Sequence, residues 1–214
     1  SYNYEDKMTS ASLNGITQQT NIYDGLGNRV AKTEGDTTIF TYQGVNLLFE
    51  KDISTGATTD HVYGNGMHLA KITGGTTYYY HEDQVGSNRL VTYVNSGKVT
   101  TQFSSDYKPY GASYGASGSE VFQYTDRMLD SATGLYYFNA RFYDPSIMKF
   151  MTRDPAAGDT AVPASLNLYA YAGGNPLSNI DPTGTLFLTY DPKQLFFSFQ
   201  NQLRGLLGLP PCDA

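Results

Sequence analysis

Residues 124–184 read YTDRMLDSATGLYYFNARFYDPSIMKFMTRDPAAGDTAVPASLNLYAYAGGNPLSNIDPTG. Two Asp-Pro turns, Asp154-Pro155 and Asp181-Pro182-Thr183-Gly184, bracket a stretch rich in Gly, Asn and Tyr. Ahead of them stand Gly134-Leu135-Tyr136-Tyr137 and Ala140-Arg141-Phe142-Tyr143-Asp144-Pro145. Aromatic residues alternating with turn formers at this density predict short strands joined by tight turns.

The rest of the chain carries the same pattern outward. Of its 214 residues only 16% are charged, while 19 Tyr, 11 Phe and 22 Gly supply ring surface and turn positions. β-branched and aromatic residues are too frequent for a disordered chain. The net charge is −6 with no basic run, so a nucleic-acid-binding footprint is absent. Cys212 is the only cysteine, which excludes an intrachain disulfide. No stretch reaches the roughly 18 apolar residues a membrane-spanning helix needs. The chain opens at Ser1 rather than Met, as expected of a processed protein or a fragment.

Internal repetition is the next signal. Turns led by an aromatic residue recur about twenty residues apart at Tyr4, Tyr23, Tyr42 and Tyr63, and less regularly at Tyr80, Tyr107, Tyr124 and Tyr143. In Tyr23-Asp24-Gly25-Leu26-Gly27-Asn28-Arg29-Val30 a strand ends in Tyr, Asp, Gly and Asn make the turn, and an Arg begins the return. Asp and Asn close turns with side-chain bonds, and Gly accepts the left-handed region. Gly74-Gly75 and Asn95-Ser96-Gly97 read as hairpin turns. Alternation places Val99, Thr101 and Phe103 on one face. One such unit cannot bury its own aromatic face, so neighbours must stack.

Taken together, the Tyr-Asp turns, His81-Glu82-Asp83-Gln84-Val85-Gly86-Ser87-Asn88-Arg89-Leu90, the Gly134–Tyr137 and Ala140–Pro145 stretches and the paired Asp-Pro turns resemble the YD-repeat proteins and their Rhs-repeat-associated core. The resemblance covers about residues 1–184. It implies an all-β fold: a YD-repeat antiparallel β-sheet spiral over 1–121, an Rhs-associated core over 122–184, and a tail over 185–214. In that family the repeats spiral into a hollow shell, the core closes one end, and the shell commonly encloses a toxin. The tail reads as a strand over Leu186–Tyr190, then a short amphipathic helix opened by Asp191-Pro192 and stopped by Pro210-Pro211. Such a tail suits a plug or an association segment.

The resemblance also implies a chemistry. In many members the core is an aspartyl-protease-like self-cleaving unit that cuts after the second DP-x-Gly. Asp154 and Asp181 would be the catalytic pair, and the cleavage region would be Gly184–Leu186. Two carboxylates that share a site raise one pKa, so one serves as acid while the other activates water. The family pattern has Gly two residues after the first Pro, where this chain has Ala157, with Gly158 one later. Gly158–Ser165 lengthens the interval, and Thr185 stands where cleaving members usually have Leu. The alternative reading treats both turns as architecture, since Asp-Pro-x-Gly is an ordinary turn former.

Other candidates are weaker. His61 and His68 lie close in sequence without a zinc pattern and read as exposed or turn histidines. No cofactor fingerprint is present. Tyr rows could stack on carbohydrate, but inter-repeat packing is the expected use. A short open spiral leaves bare sheet edges. Expected partners are therefore the remainder of a larger shell or further copies of the chain in a filament, outside the cell or on its surface.

Overall fold

A computed structural model describes residues 1–156, 158, 160, 163–185 and 187–189 of the chain. The helix expected between Pro192 and Pro210, and Cys212, lie outside the described residues. The first eleven strands are β1 (Ser10–Leu13), β2 (Ile16–Tyr23), β3 (Arg29–Glu34), β4 (Asp36–Gln43), β5 (Asn46–Asp52), β6 (Thr58–Gly64), β7 (Met67–Thr73), β8 (Thr76–Glu82), β9 (Asn88–Asn95), β10 (Lys98–Tyr107) and β11 (Ser113–Gly118). They form one antiparallel sheet whose spatial order is the sequence order, a pure meander. We call this sheet the wall.

The local chemistry of the turns explains the meander. In the β2–β3 turn, Asp24 Oδ1 accepts the N–H groups of Leu26 and Asn28, each at 2.9 Å. The β8–β9 turn repeats it, with Asp83 Oδ1 accepting Val85 N–H at 3.0 Å and Ser87 N–H at 2.9 Å. The glycine of each turn, Gly27 or Gly86, takes a positive φ. A side chain that satisfies two otherwise orphaned amides makes the turn independent of its surroundings.

A bulge stands beside these two turns and beside the β4–β5 and β6–β7 turns between them. The register shifts at Ile22/Tyr23, Thr41/Tyr42, Val62/Tyr63 and His81/Glu82, so that the return strand carries one extra residue each time. Bulges bend a strand and increase its twist. Their second effect is to set Arg29, Leu47, His68 and Asn88 at the same place in four successive units, opposite Tyr23, Tyr42, Tyr63 and Glu82. All four are buried on the inner face of the wall. A further bulge in β10, between Thr101 and Phe103, overturns the expected alternation there. Val99 is exposed, whereas Phe103 is buried among the core residues.

The core follows: β12 (Met128–Asp130), β13 (Leu135–Phe138), β14 (Arg141–Asp144) and β15 (Lys149–Phe150) make a four-stranded antiparallel sheet. β16 (Asn179–Ile180) and β17 (Leu188–Thr189) form a small separate pair. No α-helix occurs among the described residues, and none of their helical stretches is long and apolar enough to cross a membrane. The core sheet packs into the inner face of the wall: Phe40, Leu47, Tyr80, Val91 and Phe103 from the wall, with Met8 just before β1, meet Phe122, Met128, Tyr137 and Phe142. A second cluster, built from Tyr124, Tyr136, Phe138, Tyr143, Phe150 and Tyr171, belongs to the core itself. Its rings meet at tilted and edge-on angles, for instance Phe138 on Phe150 at 5.6 Å and 88°, the arrangement favoured by ring quadrupoles.

Candidate functional site

Three Asp-Pro turns share one local device. Asp144 Oδ1 accepts Ser146 N–H at 2.8 Å, and Asp154 Oδ1 accepts Ala156 N–H at 2.8 Å. Asp181 Oδ1 accepts the N–H groups of Gly184 at 2.8 Å and Thr185 at 3.0 Å. The remaining oxygens separate them. Asp154 Oδ2 lies 2.7 Å from Arg141 Nη2, and Asp181 Oδ2 lies 3.3 Å from the same nitrogen. The fold thus brings the two sequence-predicted aspartates together on one guanidinium.

Arg141 is the organising residue, and sequence reading assigned it no role. Its place in the Ala140–Pro145 motif was the available signal. Its Nε donates to Gly184 O at 2.5 Å and its Nη1 to Leu168 O at 2.9 Å. Its guanidinium carbon sits 3.6 Å from the centre of the Phe150 ring. Burial pulls the guanidinium's pKa below its ordinary value, against the charges of Asp154 and Asp181. Asp154 moves the other way: burial pushes its carboxyl up and the charge of Asp181 adds to this, outweighing the Ala156 amide and Arg141. The peptide between Gly184 and Thr185 is held at both ends, its carbonyl on Arg141 and its N–H on Asp181. Polarising that carbonyl beside two carboxylates, one with a raised pKa, is geometry that can assist acyl chemistry.

The site has an open side. A cleft of about 530 Å³ is lined by Lys7, Leu26, Arg141, Arg153, Asp154 and Pro155. Lys7, ahead of β1, donates to Asn139 O and Ala140 O, each at 3.2 Å, so the turn before Arg141 rests on the N-terminal segment.

A second constellation was misread from the sequence. His61 and His68 are buried rather than exposed, because the bulge at Val62/Tyr63 turns His68 inward. His61 Nδ1 and His68 Nε2 are 3.0 Å apart, and His68 Nδ1 is 2.9 Å from Asp126 Oδ1 in the core. Among the described residues no group of three or more His, Cys, Asp and Glu is arranged to hold a metal ion.

Comparison with known proteins places this architecture. The tRNA3(Ser)-specific nuclease WapA of Bacillus spizizenii is 32% identical over 191 residues, covering 84% of this chain. Salivary gland surface protein 1 of Aedes aegypti is 41% identical over 112 residues, covering 50% of this chain and 3% of that protein. The crystal structure of TcdB2-TccC3-Cdc42 superposes with a TM-score of 0.67 at 20% identity, over 86% of this chain and 10% of that one. The chain belongs to the Rhs/YD-repeat family. No protein-family model matches it. It spans 8% of the length of the WapA relative. The meander holds the Tyr-Asp turns and the His81–Leu90 stretch, and the segment after it holds the paired DP turns, all of them part of the family resemblance.

Proposed function

We propose that this chain is a scaffold segment of an exported Rhs/YD-repeat shell: a stretch of curved wall together with the core that seals its inner face. The observation that carries this reading is the pair of open edges. β1 and β11 lie at the two ends of the eleven-stranded sheet; outside the sheet β1 is bonded only at Ser10, to Ser1, and every residue of β11 is exposed. Bare edges of this length invite another strand. The remainder of a longer shell would supply it at both ends; a second copy would supply it in a filament. Cryo-electron microscopy of the longest natural protein containing this segment tests the proposal. Both edges should be paired to neighbouring strands of the same shell. An edge strand facing solvent in that particle would refute it. For the isolated chain, a cysteine pair at Ser12 and Ser117 that cross-links between copies would favour the filament.

The geometry around Arg141 favours a second reading, self-cleavage of the Gly184–Thr185 bond. Water would add to the Gly184 carbonyl carbon while Arg141 Nε stabilises the oxyanion. One carboxylate of the Asp154/Asp181 pair would take a water proton, and the other would return a proton to the departing Thr185 nitrogen as the C–N bond breaks. Asp154, with its raised pKa, suits the acid role.

A further inference from the structure

The two buried histidines support an inference of a different kind. His61 on β6, His68 on β7 and Asp126 in the core turn form an unbroken line, and Glu50 on β5 stands at its far end, with Oε1 3.5 Å from His61 Nε2. That last distance is an ion-pair contact rather than a hydrogen bond, and His61 Nε2 is buried without a hydrogen-bond partner in the described structure. The line therefore joins two carboxylates through two imidazoles.

Counting hydrogens decides what the line can hold. Asp126 Oδ1 can only accept from His68 Nδ1, so that nitrogen bears one. The 3.0 Å gap between His68 Nε2 and His61 Nδ1 accommodates one hydrogen and not two. His61 Nε2 is attracted to the Glu50 carboxylate only if it bears one as well. Three hydrogens on four ring nitrogens make both hydrogen bonds and turn an N–H toward Glu50, and they correspond to one positive charge shared by the pair. With two hydrogens, a bare nitrogen faces the Glu50 carboxylate. With four, two N–H groups point at each other across 3.0 Å.

The surroundings keep this count meaningful. His68 is sandwiched by Tyr63, stacked at 4.6 Å and 15°, and Tyr80, at 4.1 Å. Burial pushes both phenols far above their ordinary range, so neither ionises alongside the histidines. Phe122 covers both imidazoles from the core side. Glu82 on β8 is the other acid facing Asp126, and Arg127 is the nearby cation. Asp126 itself also accepts from Asn88 Nδ2 at 3.0 Å. It sits beside Thr125 in a turn where both residues have positive φ, 45° for Thr125 and 53° for Asp126. A β-branched residue in that region is strained and persists only when its surroundings hold it.

We propose that Asp126–His68–His61–Glu50 is a proton-operated clasp between wall and core, closed with three ring hydrogens and opened when acid supplies the fourth. Opening would free the strained Thr125–Asp126 turn and loosen the core on the wall.

Long-range proton–nitrogen NMR of histidine-labelled protein reads each ring nitrogen as protonated or bare, with the exposed His81 as internal reference. We expect an interval of pH in which His61 and His68 together show three protonated nitrogens. The fourth should arrive together with at least tenfold faster amide exchange at residues 125–128. Glu50→Gln should abolish the three-hydrogen interval without unfolding the chain. A direct passage from two protonated nitrogens to four would overturn the proposal. So would a fourth hydrogen that leaves exchange in the turn unchanged, or a three-hydrogen interval that survives Glu50→Gln.

Discussion

Arg29 of the wall and Asp130 of the core form an ion pair of 2.5 Å in which neither side chain is exposed. Gln19 Nε2 donates to the same carboxylate at 2.6 Å, Lys32 approaches it at 3.3 Å, and the Arg29 guanidinium lies 4.2 Å from the Tyr137 ring centre. This is the most deeply buried charged tie between the repeats and the core. Removing one member of a buried pair strands the other, which costs about 3–5 kcal/mol. Asp130→Asn should therefore lower the stability measured by urea unfolding by that amount. Burial raises the Asp130 pKa, but the charges of Arg29 and Lys32 and the hydrogen bonds overcome it, and the net direction is down. A lowered folded-state value means the stabilisation is fully present above about pH 4, the unfolded value, and is lost as pH falls below it. The asparagine variant should lack that part of the acid transition.

Glu82 predicts the opposite slope. Burial, reinforced by the charge of Asp126, pushes its carboxyl up to about 8, and Oε1 is buried without a hydrogen-bond partner in the described structure. Between its unfolded value of about 4.3 and that folded value, the folded chain holds a proton that the unfolded chain releases. Wild-type stability should accordingly fall as pH rises through this window. Glu82→Gln should remove the slope and be more stable than wild type by about 2–4 kcal/mol at pH 8.5, allowing for partial solvent screening. Urea titrations at pH 5, 7 and 8.5 measure it; parallel curves for the two proteins would contradict the assignment.

Gly184 and Gly134 both have φ near +70° but differ in their surroundings. A Cβ on Gly184 would come within 2.4 Å of Phe138 O, whereas one on Gly134 would meet nothing within 4 Å. Gly134→Ala should cost only the backbone strain, about 1 kcal/mol. Gly184→Ala should cost at least twice as much and displace the Asp181 turn. Thermal unfolding of the two variants side by side isolates the close approach.

For the self-cleavage reading, the shared guanidinium sets the test. Intact-mass measurement after long incubation should find a break at Gly184–Thr185 in the wild type and an uncut chain in Asp154→Asn and Asp181→Asn. Arg141→Lys should also stop cleavage, because an ammonium cannot contact both aspartates, Gly184 O and Leu168 O from one planar group. A wild-type chain that stays at full mass removes this reading and leaves the Asp-Pro turns as architecture.

The turns were readable in advance because their chemistry is local. Asp24 and Asp83 bond to amides two and four residues away, so Asp-x-x-Gly makes the same turn in both places from its own residues. The Gly74-Gly75 and Ser96-Gly97 hairpins are of the same kind, with positive φ at all four residues. Alternation alone puts Val99 and Phe103 on one face because it has no means of registering the inserted Gln102. The reading of His61 and His68 as exposed or turn histidines fails for a similar reason. Their burial depends on a bulge and on Phe122 and Asp126, more than fifty residues downstream.

By itself, then, the sequence determined an all-β chain, the position of most of the turns, and membership of a repeat family, since propensity, periodicity and turn chemistry act over a few residues. Only the tertiary structure decided what the repeats carry inward. The bulges turn Arg29, Leu47, His68 and Asn88 to one face, and the core sheet must be docked there before an ion pair, an apolar contact, an imidazole line and the Asn88 side-chain hydrogen bonds can form. The meeting of Asp154 and Asp181 on Arg141 is of the same nature. It joins three segments distant along the chain, and a contact of that range is set by strand register and packing rather than by the residues' neighbours in sequence.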